Sequence, residues 1–256
     1  MPGRDWLRIT LKDPDGISEK QTDYNIQVSQ LAVGPGSQLA TPPPMARHRV
    51  ILQSEFPYNI TARCINREWF HLPLEYVWDI FCKELKRTHE DHSLVIHSFV
   101  LMSNHFHLIA STPKANISQC THQFMTRVSR KLTRAGNRIN ETFAGRHYKT
   151  ILQSPNYFLN AYKYNYRNPV EANICPRVED YSFSTLQILL GKKAPLFPLE
   201  EDTTFNDDPV GTMKWLNTKP EENKLEAVKF GLKRQYFRSK IDRKTRKPIL
   251  GEEESL

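Results

Sequence analysis

The stretch VLMSNHFHLIAS, residues Val100 to Ser111, sets His105 and His107 two positions apart inside an apolar run. It is the second half of a longer pattern. The runs SLVIHSFVLM and HFHLIAS are rich in strand-forming residues and are separated only by Ser103 and Asn104, which predicts two strands joined by a tight hairpin. On a strand, residues i and i+2 share a face, so His105 and His107 lie side by side while Phe106 and Leu108 point into the core. Two neutral imidazoles on one face can hold a divalent metal. A His-x-His pair alone is more often a structural or surface feature than a metal site, so the neighbouring elements decide between the two.

Upstream, Tyr58, Ile60, Ala62 and Cys64 alternate with Asn59, Thr61 and Arg63, as in a strand with one buried face. Leu74, Val77, Trp78, Phe81 and Leu85 then recur at helical spacing, with Pro73 at the helix start. Downstream, Asn116 with Gln119 resembles a capping box for a helix whose apolar stripe is Ile117, Cys120, Phe124, Val128 and Leu132, ending near Gly136. Its other face carries Arg127, Arg130, Lys131 and Arg134. The run RHYKTIL reads as a strand. Ser154 and Pro155 suit the start of a helix through NYFLNAYKYNYR, which Pro169 is expected to end. The order strand, helix, strand, strand, helix, strand, helix predicts an α+β fold, a ferredoxin-like sandwich whose mainly antiparallel sheet carries helices on one face.

This pattern occupies residues 47–192 of the 256. Residues 1–46 lack sustained periodicity, end in the Pro- and Gly-containing GPGSQLATPPPMA, and are expected to be a flexible extension. Residues 193–256 combine an acidic, Pro-containing linker, PLFPLEEDTTFNDDPVG, with a basic C-terminal segment. The chain carries a net charge of +8, and between Lys229 and Lys247 nine Lys or Arg residues face the single acid Asp242, which accounts for that whole excess. Such a run is either a solvated tail or a polyanion-binding segment. Tyr236 and Phe237 within it favour nucleic acid, because rings among cations can stack on bases while the cations neutralise phosphates. Lys233, Arg234, Arg238, Arg243 and Lys244 are the candidates there. No apolar run is long enough for a membrane span, no secretory signal is visible, and the scattered Cys64, Cys82, Cys120 and Cys175 suggest a reducing, cytoplasmic setting.

The last helix supplies chemistry that could join the histidines. Tyr164 and Asn168 are four residues apart, hence on one helical face, and a phenol and an amide there could both approach a metal held by the histidine strand. Any one of Tyr157, Tyr162, Tyr164 and Tyr166 is, taken alone, more often a packing residue. Taken together, FVLMSNHFHLIAS and, about sixty residues on, YKYNYRNPVEANICPRVEDYSFSTL resemble the REP-associated tyrosine transposases of the HUH superfamily. That family has a strand motif like vlMPNHfHll, a helix motif like YixxNPvrAglv and a following W/Y-x-x-SS/ST segment. The resemblance runs from about Arg49 to Leu190 and includes NITARCINREWF and FAGRHYKTIL.

The resemblance implies that His105 and His107 are metal ligands, that Asn168 adds a polar metal contact, and that Tyr164, four residues before the Asn-Pro pair, is the nucleophile. It implies Mg2+ or Mn2+ as cofactor, and single-stranded DNA with hairpin or palindromic repeats as substrate, cut and rejoined through a 5′-phosphotyrosine. The expected setting is the cytoplasm, at the nucleoid. Tyr162 and Tyr166 are rival nucleophiles, turned roughly 160° from Tyr164 on a regular helix. Ser103 stands where the family has proline, and Glu171 and Asn173 where a basic residue and a glycine are common; these changes bear on target choice or on domestication. The rival readings are a hairpin-specific DNA-binding protein without strand transfer and an RNA-binding module. The sequence leaves the oligomeric state open.

Overall fold

The computed structural model describes residues 50–137, 139, 142–251 and 256. The extension expected over residues 1–46 lies outside them. The described chain runs β1 (Tyr58–Cys64), α1 (Leu74–His92), β2 (Val95–Leu101), β3 (His105–Ser111), α2 (Ile117–Ala135), β4 (Phe143–Ile151) and α3 (Pro155–Glu171). The four strands form one antiparallel sheet in the order β2-β3-β1-β4. β1 and β2 are joined through α1 with β3 inserted between them, and α2 carries the chain across to β4 on the other side of β1, which is the α+β sandwich expected. Met102 N donates to His105 O at 2.8 Å and closes the hairpin over Ser103 and Asn104.

One face of the sheet packs on α1 and α2. Ile60, Ala62, Phe106 and Leu108 meet Val77, Phe81 and Leu85 of α1 and Phe124 and Val128 of α2 in a continuous apolar core. Phe81 sits at its centre, edge-on to Phe106 at 5.5 Å and to Phe124 at 5.8 Å between ring centroids, a geometry that adds to the area buried.

The opposite face, polar by the alternation of β1, is covered by α3. Asn59 on that face is 0% exposed, and its Oδ1 accepts from Asn165 Nδ2 at 2.9 Å. A second core forms on this side from Ile109, Ala161, Tyr162 and Tyr166. Alternation reports which residues share a face; it cannot report that a polar helix face will satisfy a polar sheet face.

The helix ends follow the sequence in part. Ser154 Oγ accepts from Tyr157 N at 3.2 Å, with Pro155 in the first turn. Asn116 does not cap α2 with its side chain; its Nδ2 donates instead to His92 O at 3.1 Å, tying α2 to the end of α1. Pro169 does not end α3, which continues to Glu171. One missing N–H is tolerable in a final turn, and Ala172 N still reaches Asn168 O at 3.0 Å.

Residues 186–231 add α4 (Leu186–Leu189), α5 (Thr203–Asp207), α6 (Pro209–Asn217) and α7 (Glu222–Gly231), which extend the second core. The stretch with the composition of an acidic linker is docked. Phe197 is buried in the first core, Asp202 accepts from Tyr162 Oη at 2.7 Å and from Phe205 N at 2.9 Å, and Asp208 caps α6 through Gly211 N. These acids cap helix N-termini, a local use that charge counting does not distinguish from a solvated run.

The basic segment is anchored as well. Beyond α7 the chain lies along the free edge of β4, with Ile151 N donating to Gln235 O at 2.8 Å and Phe237 N to Ile151 O at 3.0 Å. Phe237 is fully buried, its ring 4.7 Å from that of Tyr157, so it cannot stack on a base as its surroundings of cations suggest. Gly231 permits the approach, since a Cβ there would stand 2.9 Å from the Phe237 ring. Phe237→Ala is expected to lower stability by about 3 kcal/mol. Urea unfolding measures it, and an unchanged midpoint would show that the segment is not docked in solution. Cys82, Cys120 and Cys175 form no disulfide, and no described helix is long and apolar enough to cross a membrane.

Candidate active site

His105 and His107 leave β3 on the α3 side of the sheet, buried and edge-on with ring centroids 5.0 Å apart. α3 crosses this face with Tyr164 and Asn168 one turn apart. The Tyr164 ring stands edge-on to His107 at 5.6 Å, and Asn168 Nδ2 lies 3.0 Å from His107 Nε2. A strand and a helix sixty residues apart in sequence thus bring the four side chains together.

Burial sets the protonation of the pair. It lowers the His105 pKa to about 4, with Arg63 adding to the shift and the Asn168 hydrogen bond opposing it. Burial also holds His107 well below the usual histidine range, helped by His105 and Arg63. Both rings are therefore neutral at physiological pH and keep a lone pair. Burial raises the Tyr164 phenol above its ordinary value, and Glu226 adds to this, against opposing contributions from Lys229, Asn168 and Arg63.

Asn104, in the hairpin turn, fixes which nitrogen of His105 carries the proton. Its Nδ2 donates to Arg67 O at 2.8 Å, and a backbone carbonyl can only accept, so its Oδ1 is the atom 2.7 Å from His105 Nδ1. The Nδ1–H donates to that oxygen, leaving the lone pair on Nε2. His107 Nε2 faces Asn168, while its Nδ1 is buried without a hydrogen-bond partner among the described residues. A half-turn of the Asn168 amide about its last torsion exchanges N for O and offers Oδ1 in the same place. Two neutral imidazole nitrogens and one amide oxygen fit a manganese or magnesium ion with positions left for phosphate oxygens and water. Among the described residues no three His, Cys, Asp or Glu side chains gather at any point; a set whose third donor is an amide is of a different kind.

The rival tyrosines are occupied. Tyr162 is fully buried and donates to Asp202, and Tyr166, 2% exposed, shares a hydrogen bond with Thr185 Oγ1 at 2.8 Å. Burial raises both phenols, that of Tyr162 well above the ordinary value.

The basic candidates divide. α2 lies on the other layer of the sheet from the histidines. Arg127 is held by Asp91 at 2.8 Å, and Lys131 pairs with the buried Glu84, whereas Arg130 and Arg134 are exposed. Arg134 is in the last turn of α2, which leads to β4 at the His105 end of the sheet. Lys233, Arg234, Arg238, Arg243 and Lys244 are all exposed on the docked C-terminal segment. The guanidinium of Arg234 lies 4.4 Å over the Phe230 ring. Because deleting the segment would strip Phe237 from the core, its charge is better tested by substitution. Changing those five side chains to Gln should reduce the slope of log affinity against log salt by about 0.7 for every single-strand phosphate that the segment then fails to neutralise. An unchanged slope would place the segment away from the nucleic acid.

Three site residues escape a reading of the sequence. Arg63 sits directly opposite His105 across the sheet. Local pattern marks it only as a polar position of β1, and the strand register that brings it to the histidines is not written there. Lys229 belongs by composition to the basic run, but its proximity to Tyr164 depends on how α7 packs against α3. Asn104 reads only as a turn residue.

No family model and no curated protein matches the chain. Among solved structures, a REP-associated tyrosine transposase bound to a REP hairpin is similar, with a TM-score of 0.50 and 19% identity over 61% of this chain and 93% of that one. A protein from Deinococcus radiodurans, provisionally named a transposase, gives a TM-score of 0.33 and 13% identity over 51% of this chain and 95% of that one, too low to carry weight. The first likeness is one of fold: residues forming the α+β sandwich have the architecture of that transposase.

Proposed function

We propose that this protein is a metal-dependent tyrosine DNA endonuclease and strand transferase of the transposase type, acting on single-stranded, hairpin-forming DNA. The observation that carries the reading is the convergence of His105, His107 and Asn168 on Tyr164, the only one of the three neighbouring tyrosines of α3 that stands beside the histidines. The fold likeness to a transposase bound to a REP hairpin supports the choice of DNA.

In this reading His105 Nε2, His107 Nε2 and Asn168 Oδ1 would hold Mg2+ or Mn2+, which when bound would supply Lewis-acid stabilisation of charge on the phosphoryl oxygens. Tyr164 Oη attacks the phosphorus of one phosphodiester as the bond to the 3′ oxygen breaks. The phenolic proton passes to solvent and the departing oxygen takes up a proton, leaving a 3′-hydroxyl and a 5′-phosphotyrosine. A second 3′-hydroxyl can attack that ester, restoring the phenol and joining strands without a nucleotide cofactor. Arg63 and Lys229 favour the phenolate and attract the phosphate. The setting proposed is the cytoplasm, on chromosomal DNA. Incubation with a panel of hairpin-forming strands and Mn2+, followed by denaturing electrophoresis, should yield a covalent protein–DNA band.

One observation favours a second reading, a hairpin-binding protein without strand transfer. Burial raises the Tyr164 pKa, and among the described residues no carboxylate or imidazole accepts a hydrogen bond from its hydroxyl. Tight binding across the panel with no covalent band would select it.

A further inference from the structure

Trp69 lies on the loop between β1 and α1 and is 72% exposed, whereas Trp78 is buried and Trp215 is partly covered. A tryptophan is ordinarily placed where its large apolar ring is sheltered. The loop around it is fixed. Asn66 and Arg67 both take left-handed backbone conformations, with φ of 55° and 59°. Ile65 N donates to Thr142 O, Phe70 N to Ser103 O and Asn104 Nδ2 to Arg67 O, at 3.0, 2.8 and 2.8 Å. The Phe70 ring packs inward, 5.9 Å from Phe81. An indole held outward by a loop anchored on both sides is a preformed surface, with little ordering left to do on binding.

Its neighbourhood names the ligand. Asn104 joins this loop to His105, so Trp69 lies at the end of the sheet where the proposed chemistry takes place. Arg63, Arg67 and Arg134 are exposed at that same end, and none is ion-paired with a described residue. A flat exposed ring at the end of the sheet that also carries these exposed guanidinium groups suits a base attached to a phosphate backbone.

We propose that Trp69 is the stacking platform for one unpaired nucleobase of the DNA strand close to the scissile phosphate, with Arg63 and Arg67 taking the adjoining phosphates. The choice of DNA rests on the function proposed above. The probe is a fluorescein-labelled DNA hairpin with ten-nucleotide oligo(dT) tails on both sides, bound to the full chain in chelator so that cleavage does not intervene. Trp69→Ala should weaken binding about tenfold and Trp69→Phe less than about threefold, with unfolding midpoints unchanged because the ring is exposed. Abasic sites moved through the tails should include one position that weakens wild-type binding about as much as Trp69→Ala does, and adds nothing to that variant. Wild-type affinity of Trp69→Ala, or full additivity at every abasic position, would overturn the assignment. The two proposals fail separately: coupling without a covalent adduct leaves the stacking site on a DNA-binding protein, and an adduct without coupling places Trp69 off the path of the strand.

Discussion

Tyr164→Phe is expected to remove the covalent protein–DNA adduct below detection while leaving hairpin affinity within about twofold of wild type. Loss of a nucleophile reduces turnover by up to about 10^6-fold, and this substitution takes away one oxygen and almost no volume. The ring packing on His107 at 5.6 Å is retained. The same change at Tyr162 removes the hydroxyl that donates to Asp202. It should lower stability by about 1 kcal/mol or more and leave adduct formation possible. Gel analysis of the three variants, with Tyr166→Phe, separates chemistry from folding; adduct formation by Tyr164→Phe at the wild-type rate would show that another group attacks.

The second large effect concerns the histidines. His105→Ala and His107→Ala should each lower cleavage by about a hundredfold or more, because a metal acting as Lewis acid supplies several kcal/mol of transition-state stabilisation. Each should also weaken Mn2+ binding measured by calorimetry without DNA, since no other described His, Cys, Asp or Glu cluster stands ready to replace the missing ligand. Burial keeps both rings neutral, and Asn104 directs the His105 lone pair to Nε2. Undiminished cleavage by the double variant in chelator would remove the metal from the account.

The central sandwich was legible because its signals are local. The hairpin over Ser103 and Asn104, the apolar stripes of α1 and α2, and the Ser154 cap of α3 all lie within a few residues of one another, where periodicity and turn chemistry act. The geometry of the candidate site was legible to the extent that it depends on two short-range spacings, His105 with His107 on a strand and Tyr164 with Asn168 on a helix. What the sequence hid depends on packing between distant segments. Arg63 reaches the histidines through strand register, Asn59 is satisfied by Asn165 across two layers, and Lys229 nears Tyr164 only because α7 docks on α3. The C-terminal segment misled for a related reason. Its cations are exposed as charge counting suggests, yet one aromatic among them, Phe237, anchors the whole segment to β4, and composition cannot tell an anchor from a stacking ring.

Peptide mapping by mass spectrometry of the adduct trapped from a hairpin-forming strand in Mn2+ identifies the attacking residue. A nucleotide 5′-phosphate is expected on Tyr164 and on no other residue of the peptide containing Tyr162, Tyr164 and Tyr166. A nucleotide on Tyr162 or Tyr166, or no modified peptide from any strand that the protein binds, would contradict it.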